Sequence, residues 1–540
     1  MIAVQEAAAP QGDDARGLAR RVALWLVPFA VLGVALVFVF PDSYQQDGGH
    51  HFLGARWALA HPRNLVGVWN RPLFTALYAL PAQLGYPAAK LLTVAVSLAA
   101  AWHTAWLARA YGLRRAELAV PLFFLQPSVL LLCSETMTEP LFALLLAVAL
   151  RLHRAGRVHA GLWVAGLLPL VRPEGFFVGV LWGAFVLFHA GAGRNVLLRA
   201  VAALQLAGGT AAWWLAALVL TGDPLFIVHD WPMNWGSSYS YGTGPLWHYV
   251  NIRHQILAGP ALYALFVLGV VALVLRRRAG LALASLALVA GMHSIFFRLE
   301  MFGSAGYARY VVCVAAPVAL ASLAGWNLAA DWLARRRVLA RAAPVLGAVA
   351  LAYAAVHCVT YLDAFGTSRD ARAIRDMYGW FQANPRPVTK LVFSQAYMSI
   401  LFDRDPRERP RLGDDARRAE AVLRRQPPGT LVFWDAHTGP RFHGIGATEI
   451  ERAGYELLRA QRYRLRPFLP FHLPWVEDYE QEYFLFYRPG ALVGATGRGL
   501  GVTPERSPGS SARGRSPSSP RAGRRARPPR RSSRRTSPRA

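Results

Sequence analysis

The chain has 540 residues, 54% of them hydrophobic and only 17% charged, with a formal net charge of +28. That apolar content excludes an ordinary water-soluble multidomain protein of this length. The charge does not argue for a nucleic-acid partner, because residues 491–540 hold 13 Arg against one Glu, a net +12, and most of the rest lies in short loops.

In chain order, apolar runs of roughly 17 to 22 residues recur as far as Tyr361, the pattern of a polytopic α-helical membrane protein. Spans are expected near 22–40, 88–110, 118–133, 138–152, 160–172, 175–190, 199–220, 256–275, 281–297, 308–326 and 343–361, about eleven in all. No small-residue cleavage site follows the first run, so it reads as a retained helix. Arg16, Arg20 and Arg21 place the N-terminus inside. Later clusters (Arg109/Arg114/Arg115, Arg151/Arg154/Arg157, Arg194/Arg199, Arg276 to Arg278, Arg335 to Arg337) fall on the same side by simple alternation. The first loop, about 41–87, then faces outward, and its stretch Phe52 to Leu59 reads as an amphipathic helix lying in the interface.

Beyond about Thr367 the chain turns soluble. Lys390–Ser394, Thr430–Trp434 and Glu482–Tyr487 read as strands, and Asp414–Arg425 and Ala447–Arg459 as helices, giving a small C-terminal α/β domain. The domain boundaries expected are 1–361 for the membrane part, 362–490 for the α/β domain and 491–540 for a disordered Ser/Pro/Arg-rich tail. Cys133, Cys313 and Cys358 all lie in or beside apolar runs, so no disulfide framework is expected in the soluble part.

The chemistry is sought where outward segments converge. Gln46-Asp47-Gly48-Gly49-His50-His51 follows the first span, and a carboxylate at the mouth of a bundle suits a general base. His50 and His51 suit substrate hydrogen bonding. Adjacent histidines diverge, so a metal shared with Asp47 is unsupported and no cofactor is expected. Glu139 opens a span after Glu135-Thr136-Met137-Thr138, where an acid is equally explained by the helix N-terminus. Arg172-Pro173-Glu174-Gly175 interrupts an apolar stretch. The two charges either pair with each other or leave Arg172 to bind a phosphate, and the two readings are compatible. Arg309, beside Tyr307 and Tyr310, is a cation on an outward loop against the positive-inside trend. Aromatic residues from Asp230 to Tyr241 suit either sugar stacking or interfacial anchoring. Asp435 and His437, at the end of a strand, read as surface or turn residues and not as catalytic ones.

Taken together, Asp47, Thr138-Glu139-Pro140, Arg172-Pro173-Glu174-Gly175 and Ala308-Arg309-Tyr310 resemble the GT-C superfamily of integral membrane glycosyltransferases. The resemblance covers roughly Leu24 to Tyr361 and is one of layout. It implies transfer of a hexose or pentose, mannose foremost, from a polyprenyl- or dolichyl-phosphate donor to a lipid, glycan or protein acceptor. It also implies an active site on the extracytoplasmic face of the plasma or inner membrane, with Asp47 or else Glu139 as base. His50, His51, Arg172, Glu174, Arg309 and Tyr310 would be the substrate contacts. Many members carry two adjacent acids in the first outer loop, whereas here glycines and histidines follow Asp47. The competing class is a transporter or lipid flippase, which would favour inverted repeats that this sequence lacks.

Overall fold

The computed structural model describes residues 12–40, 45–189, 195–231, 243–251, 257–302, 304–361, 369–393, 395–410, 412, 416–464 and 480–490. The basic tail expected at 491–540 and most of the aromatic stretch, 232–242, lie outside the described residues.

Among the described residues, six helices are long and apolar enough to cross a membrane: Ala15–Phe38, Tyr86–Ala110, Val196–Thr221, Gly280–Arg298, Ala308–Ala334 and Ala340–Val359. Three shorter apolar helices, Val158–Leu170, Glu174–Phe188 and Pro260–Leu275, accompany them. Large apolar side chains stay uncovered on the outer helices, such as Leu24 at 63% and Val219 at 75% exposure. A surface of that kind is at home in lipid and not in water. The Ala308–Ala334 helix is the opposite case, with 89% of its apolar window buried, and is the centre of the bundle.

Glycines let that centre close. A Cβ at Gly269 would lie 1.7 Å from the Ala321 carbonyl oxygen, and one at Gly325 1.8 Å from that of Leu265. The two backbones therefore touch, the small-residue mode of packing between membrane helices.

The span expected at 118–133 is instead two short helices, Ala119–Phe124 and Pro127–Leu132. Pro127 disfavours helical backbone at the residue before it, and Gln126 is accordingly extended at ψ 112°. The break is satisfied from outside: Ala258 N donates to Leu125 O at 3.1 Å, and Gln126 Nε2 donates to Ala315 O at 2.9 Å. The expected spans at 138–152 and 160–172 are a 16-residue helix, Glu139–Arg154, and an 8-residue one, Val158–Ala165, followed by a 3-10 turn.

The first loop folds into two helices, Gln46–Arg56 and Pro72–Gln83, joined through a 3-10 turn at Pro62–Leu65. Far from floating in the interface, Gln46–Arg56 buries Phe52 and Leu53 in the main core.

The C-terminal part is a four-stranded sheet of β1 (Lys390–Phe393), β2 (Thr430–Asp435), β3 (Glu456–Tyr463) and β4 (Gln481–Tyr487), in the order β1-β2-β4-β3. β1 and β2 are parallel, and β4 runs antiparallel to both β2 and β3. Both faces are covered, which is why β1 and β2 read as unbroken apolar runs. Val392, Val432 and Trp434 pack under Leu423 and Ile450 on one face, while Leu391, Phe433 and Leu485 join the main core on the other. The helix expected at 447–459 ends at Arg452. Gly454, at φ +93°, turns the chain, and Glu456–Tyr463 pairs as a strand with β4.

A short stretch ahead of β2 fastens this part to the first loop. Arg56 bonds Asp403 at 3.0 Å, His61 bonds Asp405, and Arg407 donates to Asn64 at 2.7 Å.

The glycine contact yields a test. Gly325→Leu should lower thermal stability in detergent by about 1–3 kcal/mol or more, because the helix backbones must separate. Gly291→Ala, inside a helix and with a Cβ that would meet nothing within 4 Å, should leave the unfolding midpoint unchanged or raise it slightly.

Candidate active site

Asp47 stands in the first turn of Gln46–Arg56, where the exposed N–H groups of the helix end favour a carboxylate. The guanidinium of Arg309 donates to its Oδ2. Arg309 enters from a separate part of the chain, the 3-10 turn Ala308–Val314, which follows Gly306 in a left-handed conformation at φ +65°. The pair is neither sealed nor open: the Asp47 side chain is 34% exposed and that of Arg309 18%.

Behind this pair, charges alternate inward. Glu139, fully buried in the first turn of its helix, lies 3.8 Å from Arg309 Nε and 2.8 Å from Arg172 Nη1. Arg172 places Nε and Nη2 on Glu174 Oε1 at 3.1 and 2.6 Å, and Nη1 on Thr138 Oγ1 at 3.0 Å. Glu174 Oε1 also meets His293 Nε2 at 3.0 Å. The imidazole of His293 stacks on Tyr310 at 4.3 Å between centroids, and Arg172 sits 5.6 Å from the same phenol ring. Arg309 lies over Tyr307 at 4.6 Å. The order Asp47–Arg309–Glu139–Arg172–Glu174–His293 is thus a chain of alternating partners.

The Arg172-Pro173-Glu174 break exists because Gly175 allows it. A Cβ at Gly175 would sit 2.3 Å from the backbone of Leu168 and Pro169, so only glycine lets the next helix start against the preceding turn. The break then delivers Arg172 and Glu174 to one spot, as the paired reading of these residues requires.

Electrostatics on the loop side follow from burial and these cations. Burial raises the Asp47 carboxyl, but Arg309, His51 and His50 outweigh it and leave the group below its usual value. Burial, reinforced by Arg71, pushes His51 down to about 3, and burial lowers His50 despite Asp47. Both imidazoles are therefore neutral near pH 7, hydrogen-bonding groups and not charges. Among the described residues no group of three or more His, Cys, Asp or Glu is arranged to hold a metal ion.

Six residues expected at the site meet here: Asp47, Glu139, Arg172, Glu174, Arg309 and Tyr310. His51 is buried beside them, its ring 5.9 Å from Trp69 and 5.5 Å from Phe74, and His50 is half-buried on the same helix. Asp435, expected at the surface or in a turn, is instead the buried last residue of β2, and its carboxylate accepts from His437 N at 3.1 Å and Thr438 N at 2.6 Å in the turn that follows. Asp230, at the edge of the aromatic stretch, accepts from Val68 N at 2.8 Å.

Two members were not anticipated. His293 is a polar residue in an apolar helix, and that anomaly was visible in the sequence. Arg71 is buried with its backbone at φ +63°, strained for a residue with a side chain. Its Nη1 donates to Val68 O at 2.8 Å, and burial with repulsion from Arg172 brings its pKa down to about 10. A third guanidinium thus joins a site that already holds two.

Solved structures match most of the chain, two states of one protein among them. The structure of ArnT from Cupriavidus metallidurans bound to undecaprenyl phosphate superposes with a TM-score of 0.54 at 12% identity, covering 85% of this chain and 98% of that one. The apo state of the same protein gives 0.54, 12%, 86% and 98%. The chain has the ArnT fold. This bears out the expected architecture, a polytopic helical membrane protein with a small C-terminal α/β part. No protein-family model and no curated protein matches the chain. The ArnT-like fold at 12% identity fixes the architecture, and the chemistry rests on this chain's own residues.

The alternating cluster predicts a stability cost. Arg172→Met removes the shared partner of two buried carboxylates and should destabilise the protein by about 3–5 kcal/mol. Arg172→Lys, which keeps the charge and loses the fork, should fall between that variant and the wild type. Thermal unfolding in detergent ranks the three proteins.

Proposed function

We propose that the chain is a membrane glycosyltransferase that moves a sugar from a polyprenyl-phosphate donor to a hydroxyl of a lipid, glycan or protein acceptor. The observation that carries this reading is the Asp47–Arg309 contact, a carboxylate and a guanidinium joined at the exposed end of a buried charge cluster. The structural similarity to a protein bound to undecaprenyl phosphate supports the donor class. The distribution of arginine clusters supports a site on the extracytoplasmic face. Among donors, a mannosyl phosphate is the first to test.

In this reaction the acceptor oxygen forms a bond to the anomeric carbon as the bond from that carbon to the phosphate oxygen breaks. The electron pair leaves with the phosphate, and the acceptor proton passes to Asp47. Displacement from the opposite face inverts the anomeric centre. Arg309, Arg172 and Arg71 answer the charge that grows on the departing phosphate. Glu139, enclosed between two arginines, acts as their counter-ion and leaves Asp47 as the base.

A base clamped by an arginine is a poor base, so the resting contact has to open. When the donor arrives, its phosphate competes with Asp47 for Arg309. Losing that cation and gaining an anion nearby raises the Asp47 carboxyl toward the value a base requires. Donor binding therefore switches the base on, and no acceptor is deprotonated without a donor in place.

Asp47→Asn keeps shape but not proton acceptance. Turnover should fall by roughly a hundredfold or more while donor affinity holds or rises, because the phosphate no longer has to displace a carboxylate from Arg309. Arg309→Ala should weaken donor binding and slow transfer together, because a phosphate contact serves both ground and transition states. Transfer from a panel of synthetic polyprenyl-phosphate sugars, with donor affinity measured separately, reads both. Full activity in Asp47→Asn removes it from the mechanism, and sugar-lipid flux without transfer would favour a flippase.

The exchange of partners has its own signature. In the free enzyme Arg309 holds the Asp47 carboxyl low, so it remains a base down to lower pH. In the donor complex that support is gone. The acid limb of kcat should therefore lie at higher pH than the acid limb of kcat/KM.

A further inference from the structure

A second buried ion pair lies under the first loop. Lys90 Nζ and Glu135 Oε1 are 3.0 Å apart, and their side chains are 4% and 0% exposed. Tyr86 OH donates to the other carboxylate oxygen of Glu135 at 3.4 Å, and its ring lies 5.3 Å from the ammonium. Burying two charges costs more desolvation than most pairs recover, and such pairs are best attested as devices that fix a register.

This pair fixes the turn from Ser134 to Thr138, every residue of which is buried. Glu135 N donates to Leu132 O at 3.1 Å and Met137 N to Glu135 O at 2.7 Å, so the turn is tight. Its two threonines point to the active site. Thr138 Oγ1 receives Arg172, and Thr136 Oγ1 donates to the Gly48 carbonyl at 2.6 Å. Gly48 follows Asp47 directly and is packed against this turn, where a Cβ would meet Thr136 Oγ1 at 3.3 Å and Met137 Sδ at 3.5 Å.

The helix that carries Asp47 has an inherent weakness. Gly48 and Gly49 occupy its first turn, and each glycine costs helix stability of about 1 kcal/mol against alanine. Gln45, at the N-cap, supplies no side-chain hydrogen bond to the helix end. Left to itself this end would fray, and Asp47 would lose a defined position. The Thr136 hydroxyl does not cap the free N–H groups, but by donating to the Gly48 carbonyl it ties the glycine turn beside Asp47 to a fixed point outside the helix.

We propose that Thr136 is a positioning residue for Asp47, seated by the buried Lys90–Glu135 pair, so that one turn aligns the base through Thr136 and the arginine cluster through Thr138 and Glu139. The inference rests on Asp47 being the base. Misplacement by about 1 Å is enough to cost about a hundredfold in rate, so loss of a single hydroxyl should be visible in turnover.

The test uses the full-length protein in detergent or nanodiscs, with a synthetic polyprenyl-phosphate sugar as donor. Thr136→Val is close in shape and lacks the hydroxyl. It should lower kcat roughly tenfold to a hundredfold with donor KM within about twofold, as expected for lost alignment without lost binding. The acid limb of its kcat/KM profile should move to higher pH, because Asp47 no longer sits squarely on Arg309. Thr136→Ser should restore both. If Thr136→Val is recovered only as aggregate, Thr136→Ala takes its place under the same criteria. Wild-type kcat and an unmoved acid limb would overturn the proposal, as would a drop in stability and activity with no shift of the limb. Activity in Asp47→Asn would instead overturn the assignment of the base. An inactive Asp47→Asn beside a fully normal Thr136→Val overturns only the positioning role.

Discussion

Everything around the site answers one constraint: six charged groups stand within a membrane bundle, and each must be matched by its neighbour. Three carboxylates, Asp47, Glu139 and Glu174, meet Arg172 and Arg309, with Arg71 beside them. In a low-dielectric interior a lone charge is expensive, and a row of alternating charges spreads that cost over every member. The arrangement also explains why these groups and His293, Arg71 apart, come from five separate stretches of chain. No single helix can present opposite charges on all sides of one point, so the loop helix, the Glu139 helix, the Arg172 break, the His293 helix and the Arg309 turn each contribute one or two. The helix break at 170–174 is the backbone side of the same requirement, since an unbroken span would carry Arg172 and Glu174 past their partners.

The row has an inner and an outer end, and they differ in what they can do. At the inner end Glu174 is engaged by Arg172 and by His293, whose ring is stacked on Tyr310, so the groups lock one another in place. At the outer end Asp47 and Arg309 reach solvent and can trade partners. Rigid matching inside and exchangeable matching outside are what a site needs if it must receive an anion without collapsing when empty.

Much of this was legible because charged residues inside apolar sequence are anomalies with few explanations. Asp47, Glu139, Arg172, Glu174, Arg309 and Tyr310 were found that way. His293 carried the same signal more quietly, as a single titratable group in an otherwise apolar span. Arg71 carried none, since it sits among Arg56 and Arg63 in a loop where arginine is unremarkable by composition, and only its burial and left-handed backbone set it apart. Hydropathy also misjudged continuity. A window over 118–133 registers apolar residues and is blind to the bend that Pro127 imposes on Gln126. In the sheet region, Ala447–Arg459 has helical composition throughout, but Gly454 ends the helix and long-range pairing with β4 claims Glu456–Tyr463 as a strand.

The fastening of the C-terminal part to the first loop bears on how the molecule is made. Arg56 and Asp403 are 347 residues apart in the chain, and His61 with Asp405 and Asn64 with Arg407 span almost the same interval. The helix bearing Asp47 is among the first elements to leave the ribosome, yet the segment that clasps it follows the apolar helix Ala340–Val359. Membrane insertion of the bundle must therefore finish before the first loop gains its cover. A nascent chain arrested short of Arg407 would display an assembled bundle whose loop helix still lacks its clasp, so the final shaping of the Asp47 loop is a post-insertion event.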